Sequence, residues 1–249
     1  MNDEHILQIE ETFDGDESIR RYECIAYQPI TGTSLDTTGE IRIVIESQDE
    51  FFHPSQAYLP MEGQLLKNDD TTYGNDDKVS LVNNGMMYLF SNIRYELSGH
   101  EIESVNYPGQ ATAIKGMLKY SENYTASQGM NHCWTKANSD QVLNAGFKVQ
   151  KNYIIKGPTP NGSFSFVIPL KHIFGFTEDY DKITYGLRHV LTLVRQSDDD
   201  SIFRGAGVPK GKVKLSKIAL HMPRVLPNDQ EKLNLMKIIE SKARTNVIL

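Results

Sequence analysis

Residues 93–104, IRYELSGHEIES, gather Arg94, His100 and the carboxylates of Glu96, Glu101 and Glu103 within twelve positions. A guanidinium, an imidazole and carboxylates can serve as a general acid–base site or hold a metal, provided burial or converging partners shift their pKa values. The spacing points elsewhere. With Ser98-Gly99 as a two-residue turn, Leu97 faces His100, Glu96 faces Glu101, Tyr95 faces Ile102 and Arg94 faces Glu103. Good cross-strand pairs of this kind contribute about 0.2–1 kcal/mol each. Ile93, Tyr95 and Leu97 share one face while Arg94 and Glu96 share the other. The segment therefore reads as a hairpin with a charged outer face.

Other candidate chemistries fail on spacing. The histidines (His5, His53, His100, His132, His172, His189, His221) stand singly, without HxH, HxxxH or HExxH. His132-Cys133 is the tightest pair of possible ligands, but adjacent residues on a strand point to opposite faces. No GxSxG occurs, and Cys24 and Cys133 lack a catalytic context, so both are expected to be buried small hydrophobes. FRGAGVPKGK (203–212) lacks the GxxxxGK[ST] spacing and reads as a loop. Lys212 and Lys214 alternate with Val213 and Leu215 and, with Lys210 and Lys217, line a solvated strand. RQSDDDS (195–201) carries three aspartates without EF-hand spacing and reads as a loop. No catalytic, cofactor-binding or metal-ligating residue is expected, and the chain reads as a non-enzyme.

The elements that carry these residues are strands. GEIRIVIES (39–47) alternates Ile41, Ile43 and Ile45 with Arg42, Val44 and Glu46. RYECIAYQPI (21–30), AYLPMEGQLL (57–66), VSLVNN, MMYLFSNIRYEL, FKVQKNYIIK (147–156), SFSFVIPL (163–170), KITYGLRHVLTLVRQ (182–196) and KVKLSKIALHM (212–222) also read as strands. Pro60 makes the segment 57–66 an edge or bulged strand. LKNDDTTYGNDDK (66–78) reads as a mobile polar loop. GQATAIKGMLKYS (109–121) reads as a short helix and HIFGF (172–176) as a single turn. Near the end, Asn228 caps a helix and Glu231 completes a capping box, with Leu233, Met236 and Ile239 at helical spacing. Its stripe is expected to pack on the sandwich or on a neighbour. Eight to ten strands with long, uneven connections suit an all-β jelly-roll β-sandwich with short inserted helices.

A chain of 249 residues typically buries roughly three quarters of its unfolded surface, enough for a core without staples. Residues 1–19 carry seven acids and no Lys or Arg, whereas the rest holds 26 basic residues against 25 acidic ones. The leader reads as a flexible acidic tail. The balanced body has no field to draw nucleic acid or a membrane surface. Two distant cysteines exclude a disulfide framework, and neither a signal peptide nor a run of about 20 apolar residues is visible.

LFSNIRYELSGHEIES followed by TAIKGMLKYS resembles a signature of double jelly-roll major capsid proteins, in the version found in Polinton-like and adintovirus-like elements and related animal proteins. Residues 39–63, 168–200, 214–229 and 231–241 match in the same order, so the resemblance extends over about residues 20–245. It implies a jelly-roll domain over 20–226, with residues 227–249 forming a linking helix and the start of a strand toward a second jelly roll. It also implies a virion structural protein that self-associates laterally, as homotrimers in a capsid lattice where the second jelly roll is present; the cysteine usage and the lack of a visible signal or span make an intracellular setting the other expectation. Contacts are then expected on loops 66–78, 121–146 and 196–211. No small-molecule ligand is expected. The competing reading is a single jelly roll retained as a binding module, with Trp134, Tyr120, Tyr124 and Tyr153 as stacking platforms for carbohydrate, or with a protein as ligand.

Overall fold

Alternation in the sequence translates directly into strands. Ile41, Ile43 and Ile45 turn inward from β2 (Glu40–Ile45), as do Ile93, Tyr95 and Leu97 from β6 (Phe90–Leu97). Between them lies β10 (His189–Arg195), and β7 (His100–Asn106) flanks β6, giving the sheet order β2-β10-β6-β7. β10 is enclosed on both edges, so Val190 and Thr192 on its outer face are buried as well. The structure is a computed structural model that describes residues 18–30, 35, 39–46, 49–135, 145–156 and 162–245.

The facing sheet has seven strands in four lanes. β1 (Ile19–Tyr27) pairs with β13 (Leu220–Pro227), which continues β12 (Gly211–Ile218) end to end through Ala219. β3 (Phe51–Phe52) and β4 (Tyr58–Lys67) form the third lane against β13 and β12. β9 (Thr184–Tyr185) and β8 (Ser163–Pro169) form the fourth. A two-stranded sheet, β5 (Val79–Leu81) with β11 (Ile202–Arg204), sits beside them. Successive lanes alternate between the two large sheets except at the β6–β7 hairpin. This is the double Greek key of a jelly roll. Phe52, Leu59, Met61, Tyr95, Phe166 and Phe174, each at most 1% exposed, fill the space between the sheets. Complete burial of such side chains contributes about 1.5–3 kcal/mol apiece.

Helices occupy the connections: α1 (Pro108–Lys119), α2 (Glu122–Ser127) and α3 (Ala145–Ile155) between β7 and β8, then α4 (Leu170–Ile173) and α5 (Gly175–Asp179), and finally α6 (Asp229–Thr245). The expected strand at 147–156 is instead α3. Its inward positions are Phe147, Gln150, Lys151, Ile154 and Ile155, a period of three to four, while Val149 and Tyr153 face outward. Polar Gln150, 2% exposed, interrupts the apolar pattern and hides the helical period. It is satisfied where it lies, donating from Nε2 to Asn83 Oδ1 at 3.2 Å and Cys133 O at 3.4 Å.

Further expectations need correction. β4 is no edge strand, for β8 and β12 pair with its two sides. Pro60 O accepts from Ala219 N at 3.3 Å, so the imino nitrogen, on the same side of the strand, faces the break between β12 and β13. The 66–78 segment is anchored rather than mobile: Leu66 bridges Thr72, and Tyr73, 1% exposed, donates its hydroxyl to Pro209 O at 3.0 Å. Cys133 is buried as expected, but Cys24 is exposed on the outer face of β1. Asn228 does cap α6, its Oδ1 accepting from Glu231 N at 2.7 Å. The α6 stripe is largely uncovered: Met236 is half-buried, but Leu233, Ile238 and Ile239 are 63%, 50% and 37% exposed. Of the acidic leader, residues 1–17 lie outside the described residues, as do the terminal 246–249 and part of the 121–146 loop.

Candidate assembly surface

The Arg94–Glu103 segment is a hairpin. Ser98 and Gly99 both take positive φ, 47° and 85°, as a tight two-residue turn requires. Leu97 faces His100 and Glu96 faces Glu101, but Ile102 then bulges out, so Tyr95 faces Glu103 and Arg94 faces Ser104. The expected pairing of Arg94 with Glu103 does not form. Arg94 instead reaches over β10 to Glu40, 3.6 Å away. The bulge frees Glu103 to bind elsewhere. Its two carboxylate oxygens accept from Gly175 N at 2.9 Å and Phe176 N at 2.8 Å, tying β7 to the first turn of α5. Glu103→Ala is expected to cost about 1–2 kcal/mol. Urea denaturation checks this, and a variant as stable as the parent would show that Glu103 does not hold α5 in place.

One cluster unites a hydroxyl, an imidazole and a carboxylate, from residues too far apart in sequence to suggest it. His53 Nε2 lies 2.7 Å from Asp181 Oδ1 and 3.0 Å from Ser55 Oγ, and Ser55 Oγ donates to the same Asp181 oxygen. Nucleophilic catalysis needs the hydroxyl and the carboxylate on opposite ring nitrogens, so that one orients the base while the other loses its proton. Here both crowd one nitrogen, and Tyr22 OH, 3.4 Å away, faces the other. The arrangement ties the 181 loop to the β3–β4 corner and does not set Ser55 up as a nucleophile. Among the described residues, no group of three or more His, Cys, Asp or Glu could hold a metal ion, and no helix is long and apolar enough to cross a membrane.

The triple aspartate is a short 3-10 turn, Asp198–Asp200. Asp198 points inward: its Oδ1 accepts from Arg195 Nη2 at 2.9 Å and its Oδ2 from Val213 N at 2.8 Å. Burial lifts its carboxyl above the usual range despite the adjacent Arg195 charge. Lys212 and Lys217 pair with Asp70 and Glu62 at 3.0 and 3.1 Å, so these lysines are engaged within the sheet surface.

The expected stacking platforms largely stack on one another. Tyr120 packs against Tyr124 (4.6 Å between centroids), His172 (5.2 Å) and the edge of Trp134 (5.1 Å), and His132 and His172 stand 5.1 Å apart. Tyr124 OH lies 3.2 Å from His172 Nε2, and Tyr153 OH donates to Ser165 O at 2.9 Å. Burial pushes the Tyr124 hydroxyl up to about 12 and, with repulsion from His132 and nearby lysines, His172 down to about 3. The cluster rivets α1 and α2 to α4 and leaves the outer side of α1 in solvent.

Two facing antiparallel sheets with helices inserted in their connections make this a jelly-roll fold. The double jelly roll-like domain family model matches residues 79–249, more than half the chain. The chain belongs to that family. Among solved structures, it is similar to a chain of the PBCV-1 virus capsid, with a TM-score of 0.52 and 11% identity over 86% of this chain and 44% of that one. It is equally similar to the Faustovirus major capsid protein, with a TM-score of 0.52 and 12% identity over 94% of this chain and 59% of that one. At such identities the likeness is one of fold, and the chain spans about half the length of the solved chains it matches. No curated protein matches it.

Proposed function

We propose that this protein is a shell-forming structural component that works by lateral self-association of jelly rolls and performs no turnover. The observation that carries the reading is the complete jelly-roll topology, shared over 86% of the chain with a virus capsid chain and over 94% with a major capsid protein. Family membership supports it. The domain reading, with residues 20–226 as one jelly roll and 227–249 as a link toward a second, is supported by α6. That helix leaves the sandwich with Leu233, Ile238 and Ile239 uncovered, the surface that a following domain would pack against. The reading places the assembled protein in a virion-type particle. Light scattering after size-exclusion chromatography of the full gene product tests it. Trimers or larger particles are expected, and a product that remains monomeric at high concentration would overturn it.

A further inference from the structure

A helix lying on a sandwich ordinarily turns its large apolar residues inward. α1 does the reverse. Its buried residues are Pro108, Gly109, Thr112, Ala113 and Gly116, whereas Ile114, Met117 and Leu118 are 59%, 73% and 82% exposed. The small residues inside permit close approach: a Cβ on Gly109 would stand 2.5 Å from the Tyr88 ring, and one on Gly116 2.7 Å from Trp134. Seated by its small face, the helix presents a ridge at positions i, i+3 and i+4. Alongside runs a cleft of about 760 Å³ lined by Met117, Tyr120, Trp134, Tyr88 and Asp200.

The flanks of this ridge carry opposite charge. On the cleft side stand Asp199 and Asp200, both exposed, while Asp198 of the same turn is occupied by Arg195. On the far side Lys115 and Lys119 hold Glu178 at 2.8 and 2.5 Å, and Lys115 also donates to Lys171 O at 2.6 Å. Two lysines share one glutamate there, which leaves that flank positive. Within one copy the two flanks cannot meet, because α1 stands between them. A two-fold axis at the ridge and parallel to α1 brings each acidic flank onto the lysine flank of the other copy, which is the self-complementarity an isologous contact requires, whereas a two-fold across the helix would oppose like charges.

We propose that α1 and its cleft form a two-fold contact between copies of this chain, the ridge of each copy packing on the other and Lys119 of one facing Asp200 of its mate. The proposal rests on the self-association reading and adds the surface and the symmetry. Sedimentation velocity of the full chain over a concentration series tests it, with folding checked by circular dichroism. Leu118→Glu, at a solvated position, is expected to weaken association about tenfold or more. Asp200→Lys and Lys119→Glu should each weaken it, and the double swap should restore it. In a Cys24→Ser background, Leu118→Cys should cross-link copies to one another under mild oxidation. If the parent associates and Leu118→Glu associates equally well, this contact is overturned while self-association stands. If the parent stays monomeric throughout, both fall, and the cleft is left to a different partner.

Discussion

Asp198→Ala is expected to lower the free energy of unfolding by about 3–5 kcal/mol, because it removes the carboxylate that neutralises the buried Arg195 guanidinium. The Arg195 side chain is 2% exposed, and Asp198 meets it at 2.9 Å. The guanidinium also lies over the Phe90 ring, 5.9 Å from its centroid, and its Nη2 donates to Val213 O at 3.5 Å. Asp198 is itself costly to bury, as its raised pKa indicates, and the pair is therefore no large net gain over apolar residues. The asymmetry yields a second expected result. The double variant Arg195→Met with Asp198→Leu should recover part of the loss, since no buried charge is then left without its counter-charge and the remaining cost is the orphaned Val213 N–H, about 1–3 kcal/mol. Urea denaturation of both variants measures these values. An Asp198→Ala protein within about 1 kcal/mol of the parent, roughly the error of such comparisons, would sink the argument.

Acid should destabilise the fold from about pH 6.5 downward through its buried histidines. His189 lies 1% exposed in the core, its Nδ1 2.7 Å from Tyr95 OH and its ring 5.3 Å from that of Phe52. Burial drives its pKa from 6.5 down to about 4. His172, enclosed by Tyr120, Tyr124 and His132, falls to about 3, and desolvation lowers His132 as well. All three are neutral in the folded state where the unfolded chain protonates. Between pH 6.5 and about 4 the unfolded state therefore binds more protons, and stability falls as the pH falls. The slope is about 1.4 kcal/mol per pH unit for each such histidine, or about 3 kcal/mol across the window for His189 and a comparable loss for His172. Unfolding midpoints at about pH 7, 6 and 5 should decline accordingly, and His189→Gln should flatten the decline by one proton. A midpoint independent of pH over this range would contradict the assignment.

The two sheets were legible in the sequence where one face of a strand is solvated. β2 and β6 declare themselves through strict alternation, and the Asn228 cap announces α6. α3 was not legible, because tertiary hydrogen bonds admit Gln150 to the interior and the local pattern carries no trace of those partners. The β6–β7 register was readable for two pairs beyond the turn and then lost, since the Ile102 bulge is fixed by the pull of α5 on Glu103, from about 70 residues away. The family signature, carried by ordered segments along the chain, was legible throughout. The candidate contact was half visible. Ile114, Met117 and Leu118 show a helical ridge, but only the packing of Gly109 and Gly116 reveals that the ridge faces out. The His53–Ser55–Asp181 triangle joins residues some 126 positions apart, beyond any local pattern.

The pairing of β1 with β13 has a consequence in time. Ile19 lies opposite Pro227 and Tyr27 opposite Leu220, a separation of about 200 residues. Chains emerge from the ribosome at about 5–20 residues per second, so the first strand waits on the order of ten seconds or more for its mate to be made. During that wait Tyr22, Ile25 and Tyr27 have no sheet to join, and the neighbouring lanes cannot close over them. High contact order then slows the final step as well. Nascent copies on one message would carry the same open edge, side by side, for as long as each awaits its last strand.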